Sequence, residues 1–458
     1  MRLRRAELRK RVNGGLELRF ESEGLTSYAG LALLQRFFKR IDLGRQIREA
    51  IGRALPASDY GTSRVVMLLL TMLISGGRRL RHLGHLRNDP IVARTCGLES
   101  LPTARSVARW LGAFETAGVD ALCRLNERVS AEGVREVGQT RLTIDIDGSV
   151  VSTGLQVEGA ERGFNPHHRK APSYYPITAY EAQSGVVLRV ANRAGNIHDG
   201  AASLPFLREL FEQIDRSLRR MTEEYRMDGA FFRRDVLDLL DERGAEYVIK
   251  VPFFPWLGLK QKVASRRSWQ RVDGTVSCFE TRQWIEPWKR TLRIVIYRKR
   301  VAHESRKNFQ LDLFDPSDGH YEYSAIVTNR TIGGPHLWWL MCGRGTHEKV
   351  YGELKNGFAF DTVPTQRYEA NSAWQVLSVL AFNLVRCFQM ASTAQPRTAN
   401  RKRRTLHIFE SIHTLRFELF NRAGLLLRPA GRATLDVGTN SAVRDRFTRT
   451  ADLLQRAA

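Results

Sequence analysis

The sequence predicts a protein of the α/β class, with a mainly helical amino-terminal region and a β-rich insertion in its core. From Arg141 onward, apolar and polar residues alternate with the period of two that is typical of a strand. Extended and helical patterns then follow one another as far as Val251, which is the order expected of a layered α/β core. Between Pro252 and Asn329, aromatic and β-branched runs separated by Asp-Gly turns indicate further strands.

The amino-terminal region is expected to be helical after a short extended segment, Gly15 to Glu21. Ser27 is expected to cap an amphipathic helix from Tyr28 to Phe38, and a second helix covers Ser63 to Ile74. These segments carry apolar residues at helical spacing, so each is expected to bury one face.

A third helix is predicted to begin after Thr103, whose hydroxyl can cap it. Apolar residues between Val107 and Leu111 recur at helical spacing, which leaves Arg105 and Arg109 on another face. This helix is either the recognition helix of a helix-turn-helix, with both arginines on DNA, or an ordinary surface helix.

The core is predicted to begin with a strand whose residues Leu142, Ile144 and Ile146 share one face. Asp145 and Asp147 then lie together on the opposite face. The later elements are expected in this order: strands at Ile177–Tyr180 and Val186–Val190, a helix at Ala202–Leu218, a strand ending at Asp228, a helix at Phe232–Arg243, strands at Tyr247–Val251, Leu292–Tyr297 and Tyr321–Thr328, helices from Arg344 and at Ser372–Met390, a mobile basic loop at Gln395–Arg404, and a strand at Arg432–Val437.

The charge of the chain points to a polyanionic partner. Lys and Arg number 72 against 48 acidic residues, giving a formal net charge of +24 over 458 residues. Such an excess attracts phosphates strongly and in a salt-dependent way. An acidic lipid surface is the alternative, but no basic amphipathic anchor stands out, so nucleic acid is favoured.

The sequence predicts a cytoplasmic, nucleoid-associated protein that does not enter a membrane. Its longest apolar run, Val65 to Ile74, is much shorter than the ~20 residues that a membrane-spanning helix needs. The five cysteines form no Cys-x-x-Cys pair, which is typical of reduced thiols in a reducing compartment.

Three stretches each place a carboxylate where a metal-dependent nuclease requires one. Asp147 ends the first core strand beside Gly148, with Asp145 one pleat deeper, and Asp228 ends a second strand. Strand ends are where α/β sheets usually place their chemistry. The alternative is structural: the first two aspartates cap a strand, and Asp228 caps the helix after it.

The third stretch is a predicted helix that carries Glu348. Steps of about 100° per residue place Arg344, Glu348, Tyr351 and Lys355 along one face, whereas Glu353 lies about 140° around from Glu348. Such a face can hold a metal ion and a phosphate together. The alternative is an exposed helix with ordinary ion pairs.

This helix resembles the signature Tyr-x-x-Arg-x-x-x-Glu-x-x-x-x-x-x-Lys of bacterial insertion-sequence transposases with an Asp-Asp-Glu triad. The match is in register at Arg344, Glu348 and Lys355, while Met341 stands in place of the tyrosine. Asp147-Gly148-Ser149 is similar to the first aspartate motif of these enzymes. The segment from Arg226 to Phe231, which contains Asp228, is similar to the second.

Further motifs resemble one branch, the insertion sequence 1380 family, which is related to the IS-4-like group. The segments 161–166 and 173–176 are similar to its Lys-Gly-Tyr-Asn-Pro and Ser-Tyr-His-Pro loop. The segment 193–198 is similar to its Arg-Pro-Gly-Asn-x-His turn, with Ala194 in place of the proline. The resemblance covers most of the chain.

The resemblance implies a ribonuclease H-like catalytic core with a mixed sheet. The core would occupy residues 137–251 and 334–458, interrupted by a β-rich insertion at 252–333 and preceded by a helical DNA-binding region at 1–136. Asp147, Asp228 and Glu348 would be the catalytic residues and would bind two Mg²⁺ or Mn²⁺ ions. Asp145 would lie behind these ligands or replace Asp147 as the first of them, and Tyr351 would lie next to them.

The implied activity is cleavage of the ends of an insertion sequence and their joining to target DNA. The partners would be the double-stranded terminal inverted repeats and the target DNA, bound by a homodimer. A metal-dependent nuclease without strand transfer and a non-catalytic DNA-binding regulator remain as alternatives.

Several other residues are expected to contact DNA. Arg344 and Lys355 are assigned to phosphates near the cut, and Arg169 and Lys170 to the backbone within a loop that mixes basic and aromatic residues. The tryptophans of the insertion, Trp284 and Trp288, either contact an unpaired base or belong to the core of a sheet.

Overall fold

The computed structural model of the chain describes residues 20–52, 54–154, 156–163, 171–197, 199–301 and 321–456. Most of the expected amino-terminal extended segment, from residue 15 to 19, lies outside these residues, and so do Arg169 and Lys170.

The described residues form an α/β fold whose elements follow one another as below. The helices are α1 (Leu31–Arg40), α2 (Leu43–Ile51), α3 (Thr62–Ser75), α4 (Leu83–Leu86), α5 (Pro90–Cys96), α6 (Ala104–Gly112), α7 (Thr116–Glu136), α8 (Asp199–Ser217), α9 (Arg234–Glu242), α10 (Leu259–Ala264), α11 (Gly334–Cys342), α12 (Gly345–Phe358), α13 (Tyr368–Met390), α14 (Ile412–Leu415) and α15 (Ser441–Arg456). The strands are β1 (Leu25–Thr26), β2 (Arg141–Gly148), β3 (Val151–Ser152), β4 (Ser173–Tyr174), β5 (Ile177–Glu181), β6 (Val186–Ala191), β7 (Thr222–Met227), β8 (Glu246–Val251), β9 (Gln270–Arg271), β10 (Val276–Ile285), β11 (Arg290–Arg300), β12 (Tyr321–Thr328), β13 (Gln395–Pro396), β14 (His407–Ile408), β15 (Gly424–Leu427) and β16 (Thr434–Asp436).

One mixed sheet organises the fold. Within the described ranges its strand order is β6-β5-β2-β7-β8-β12-β11-β10-β9. Strands β2, β7 and β8 run parallel, β5 is antiparallel to β2, and β6 is antiparallel to β5. The five strands of this sheet that come first in the chain, β2, β5, β6, β7 and β8, therefore lie in the order three-two-one-four-five, with the second reversed. This is the ribonuclease H-like arrangement, so the predicted fold class is confirmed.

The β-rich segment after Val251 continues this sheet. Strand β12 pairs antiparallel with β8, and β11, β10 and β9 follow outward as antiparallel neighbours. The long β10–β11 hairpin joins Val276 to Lys299 at one end and Ile285 to Arg290 at the other. The boundaries of the domains stay a prediction.

The two faces of the sheet are covered by different helices. Leu142, Ile144 and Ile146 pack with α8 and α9 in one apolar cluster. Tyr180 and Val187 pack on the other side, in a cluster that includes α7, α12 and α13. Asp145 and Asp147 belong to this second face because side chains alternate along a strand.

The amino-terminal helices share that second cluster. Buried residues of α1, α2, α3, α6 and α7 belong to the same apolar cluster as those of α12, α13 and α14. The helix that carries Glu348 therefore packs on the helical region as well as on the sheet. In the described ranges, no helix combines the length and apolar character needed to cross a membrane.

Most of the predicted helices are confirmed, but the first begins later than expected. Thr103 caps α6, and its hydroxyl accepts a hydrogen bond from the Ser106 amide at 3.1 Å. Ser27 is not a cap, because α1 begins at Leu31 after Gly30. Thr26 lies in strand β1, and its hydroxyl donates to Asp89 at 2.8 Å, so this segment is held by contacts distant in sequence.

A buried ion pair joins the two central parallel strands. Asp145 in β2 and Arg226 in β7 are opposite each other in register, and both side chains are fully buried. The guanidinium donates from Nε to Oδ1 at 2.6 Å and from Nη2 to Oδ2 at 2.7 Å. Its Nη1 donates to the carbonyl of Leu340 in α11 at 2.8 Å. This two-point geometry satisfies both charges away from water.

Removing one member of this pair is expected to destabilise the fold. Arg226→Met should lower the free energy of unfolding by roughly 3–5 kcal/mol, because it leaves the Asp145 carboxylate buried without its partner. Chemical denaturation measures the loss. The double variant Arg226→Met/Asp145→Leu should recover much of it, since no buried charge then remains. A double variant as unstable as the single one would contradict this account.

Candidate functional site

Asp147 and Asp228 lie at the same edge of the sheet. Asp147 is the penultimate residue of β2, and Asp228 directly follows β7, the parallel neighbour of β2. Both residues are partly exposed. Parallel strands bring their carboxyl ends to one edge, and ligands usually bind there in open α/β sheets.

The carboxylate of each aspartate accepts a hydrogen bond from a nearby backbone amide, and that of Asp147 also pairs with an arginine. The Asp147 carboxylate forms an ion pair with Arg344 at 2.9 Å, and its Oδ1 accepts from the Gly148 amide at 3.1 Å. Asp228 accepts from the Ala230 amide at 3.0 Å and caps the turn Gly229–Phe231. Such a cap uses one carboxylate oxygen, so capping and metal binding are compatible at Asp228.

Arg344 is the positive charge that both aspartates share. Its side chain is buried, which alone lowers the pKa of the guanidinium. The charges of Asp147, Asp145 and Asp228 outweigh that effect, so the pKa of Arg344 is raised. The Arg344 guanidinium is therefore stabilised by all three carboxylates.

Helix α12 is fastened to the end of β2 by one of its faces. The Tyr351 hydroxyl donates to the carbonyl of Asp147 at 2.7 Å, and Lys355 Nζ donates to the carbonyl of Val150 at 2.8 Å. Burial lowers the pKa of the Lys355 ammonium. The predicted face of Arg344, Tyr351 and Lys355 thus contacts the strand. Glu348, in the first turn, is exposed.

His347 packs behind this face. Its ring stacks on Tyr180 and on Tyr351, with centroids at 5.3 and 4.9 Å. Its Nε2 lies 2.8 Å from the Thr178 hydroxyl. Burial lowers the pKa of this imidazole well below its usual value, and the charge of Arg344 adds to the effect. His347 is therefore buried between the helix and the sheet, where it packs against two aromatic rings.

A cavity of about 370 Å³ opens beside Glu348. Two lysines that sequence reasoning missed, Lys250 and Lys299, line it together with Tyr323 and Trp338. Lys250 is exposed within the otherwise buried end of β8. That interruption of an apolar strand is the signal that identifies it, whereas nothing local distinguishes Lys299.

Carboxylate oxygens are suitable ligands for a hard divalent cation. The side chains of the site, however, do not surround a common point. Among the described residues, no three His, Cys, Asp or Glu side chains converge closely enough to hold a metal ion. Asp147 and Asp228 share the field of Arg344. Glu348 lies one helical turn after Arg344, which corresponds to about 5–6 Å between their Cβ atoms. The convergence of all three carboxylates stays a prediction.

The other residues expected to contact DNA lie elsewhere. Arg105 and Arg109 are exposed on α6. Trp284 is 51% exposed, and its indole donates to Glu286 at 2.5 Å. Trp288 is half-buried and lies among other aromatic rings, with centroids 4.9 Å from Phe232 and 5.9 Å from Trp256. Their contacts with DNA stay predictions.

One family model matches nearly the whole chain. Residues 9–458 match the family model described as transposase DDE domain group 1. No curated protein matches the chain. Among solved structures, the chain is similar to the piggyBac transposase in its synaptic complex with hairpin DNA. That similarity has 10% identity and a TM-score of 0.41, covering 94% of this chain and 85% of that one.

Replacing Arg344 is expected to strengthen cation binding at the sheet edge. Arg344→Gln removes a positive charge from the field of Asp147 and Asp228, so Mn²⁺ should bind at least about tenfold more tightly in the absence of DNA. Titration calorimetry measures the affinity. Arg105→Gln, which removes an exposed arginine from α6, should leave it unchanged. Unchanged or weaker Mn²⁺ binding by Arg344→Gln would refute this electrostatic account.

Proposed function

Because the chain belongs to the transposase DDE domain family, group 1, we propose that it cleaves the ends of an insertion sequence and joins them to target DNA. The arrangement that supports this proposal most directly is the edge formed by β2 and β7. There two aspartates at neighbouring strand ends face a docked helix that carries a glutamate.

We assign catalysis and metal binding to Asp147, Asp228 and Glu348. Their carboxylates would hold two Mg²⁺ or Mn²⁺ ions, which supply an activated water and neutralise the departing 3′ oxygen. Asp147 and Asp228 are carried by rigid strands, so their oxygens are oriented before DNA binds. Glu348 is exposed on the first turn of α12, and its side chain can turn toward the same edge.

Asp147 is preferred over Asp145 as the first ligand. Both oxygens of Asp145 accept hydrogen bonds from Arg226, and the residue is fully buried. A ligand at this position would have to break a buried ion pair, which costs several kcal/mol. We therefore propose that Asp145 positions β7 and that Asp147 binds the cation.

Basic side chains around the edge are suited to the phosphates that flank the cut. Lys250 and Lys299 line the cavity beside Glu348, and Arg344 stands between that cavity and Asp147. Asp147, now paired with Arg344, would exchange that partner for a bound cation, because both positive charges are attracted to the same carboxylate. The released guanidinium would then be available to a DNA phosphate. Lys355 is assigned to the same backbone.

DNA is the substrate that the charge and the family both favour. The chain carries a formal net charge of +24, and its motifs resemble those of the insertion sequence 1380 family. We propose that double-stranded terminal repeats and target DNA are its partners. Joining two ends in one reaction requires two active sites, so we propose a homodimer on DNA, associated with the nucleoid in the cytoplasm.

The triad is tested by replacing one carboxylate oxygen at a time. Glu348→Gln, Asp147→Asn and Asp228→Asn should each lower the rate of strand cleavage at least about 100-fold with Mg²⁺, because each removes a charge that the reaction needs. DNA binding measured without metal should persist. Cleavage and joining are read on labelled linear DNA that carries the repeats flanking the coding sequence.

Glu353→Gln is the matched control on the same helix. Glu353 forms an ion pair with Arg386 at 2.5 Å and accepts from the Ile412 amide, away from the edge. It should lower the melting temperature and leave cleavage by the folded protein near the wild-type rate. If Glu348→Gln cut DNA normally, its assignment would be wrong. Cleavage without joining by the wild type would indicate a nuclease, and binding without cleavage a regulator.

A further inference from the structure

A second basic cavity lies on the other side of α11 from Glu348. It has a volume of about 510 Å³. Helix α11 separates the two cavities: Trp338 and Met341 line the one beside Glu348, whereas His336 and Leu340 line this one. The described residues that line it include no carboxylate; they are Gln183, Arg330, Ile332, His336, Leu340, Ala399, Asn400, Arg401 and Arg403.

Part of the lining of this cavity comes from a segment that was expected to be a mobile loop. Residues 395–408 form a hairpin in which β13 pairs with β14. The carbonyl of Lys402, at its tip, accepts from Arg226 at 2.9 Å, and the Leu406 amide donates to the carbonyl of Gln183 at 2.7 Å. The Lys402 ammonium lies 5.1 Å from the centre of the Trp339 ring. Arg401 and Arg403, on either side of Lys402, are therefore held in place.

The floor of the cavity is a buried arginine within an ionic cluster. Arg330 pairs with Glu224 and with Glu246, and Arg141 pairs with the same two carboxylates. Burial, followed by the charges of Arg141 and Arg403, lowers the pKa of Arg330 to about 10. The guanidinium therefore stays charged at neutral pH. In the cluster, Arg330 and Arg141 balance the charges of Glu224 and Glu246. Arg401 and Arg403 add two further positive charges, so the net charge around the cavity is positive.

The cavity is remote from the proposed site of the cut. Arg330 contacts Glu224 and Glu246, near the amino ends of β7 and β8. Asp147 and Asp228 lie at the carboxyl ends of β2 and β7. At a rise of about 3.3 Å per residue, four to six residues of strand separate the two places by roughly 13–20 Å.

We propose that this cavity, formed by Arg330, Arg401, Arg403 and His336, binds a backbone phosphate of DNA away from the scissile bond. The guanidinium groups that line the cavity come from two elements, the segment after β12 and the β13–β14 hairpin. Planar guanidinium groups match the oxygens of a phosphodiester and can bind it at more than one point. The open volume is sufficient for a phosphate with its sugar. This proposal rests on the proposed function only for the identity of the ligand, DNA. The cavity itself takes no part in the cleavage chemistry.

The test compares the salt dependence of DNA binding without metal. In Arg401→Gln/Arg403→Gln, the affinity for a duplex should fall at least about tenfold. The slope of log K against log salt should become shallower by about 0.9 for each phosphate that the variant no longer binds. The matched control, Arg267→Gln/Arg432→Gln, removes two exposed arginines elsewhere and should keep the wild-type slope. Thermal melting confirms that both variants are folded.

The outcomes separate this proposal from the proposed function. A slope shared by the wild type, the double variant and its control would overturn the phosphate site. Inorganic phosphate, titrated into protein without DNA, tests the other source of the same chemistry. Tight phosphate binding that the double variant loses, with unchanged DNA affinity, would overturn the assignment to DNA. A wild type that binds DNA through these arginines yet never cleaves it supports the site and refutes the proposed function.

Discussion

The buried pair between Asp145 and Arg226 is the contact on which the geometry of the site depends. It joins β2 and β7 in register, two residues before each strand reaches its terminal aspartate, Asp147 or Asp228. The same guanidinium reaches the carbonyls of Leu340 and Lys402. One charged group therefore links the two paired strands through their side chains and also binds α11 and the hairpin that pack over them. Losing either partner would leave a buried charge unpaired, which is strongly destabilising.

The helix that carries Glu348 is held by main-chain acceptors rather than by apolar contact alone. Tyr351 and Lys355 donate to carbonyls just beyond the buried part of β2, and Arg344 binds the Asp147 side chain. The polar face of α12 is thus engaged at Arg344, just before its first turn, and again at Tyr351 and Lys355, while Val350, Leu354 and Phe358 are buried on the other side. Glu348 is left exposed between these contacts.

The amino-terminal helices are structurally continuous with the core. Arg416 illustrates this: its guanidinium donates to the carbonyls of Leu73 and Ile74, near the end of α3, and to that of Gly357, near the end of α12. Cations are favoured at helix carboxyl ends. The Arg416 guanidinium therefore links the carboxyl end of α3 to that of α12, the helix that bears Glu348.

The sequence by itself determined the class of fold, the positions of most strands and helices, the strong positive charge, and three short motifs with carboxylates. These are local properties, since periodicity, capping and composition act over a few residues. It left Asp145 and Asp147 as alternatives, because both lie on one face of one strand. Only the tertiary structure shows that their environments differ: Asp145 is fully buried in an ion pair with Arg226, 81 residues away in sequence, whereas Asp147 is partly exposed. Lys250, Lys299 and the arginines around Arg330 also come together only through strand pairing and helix packing, which no local pattern encodes.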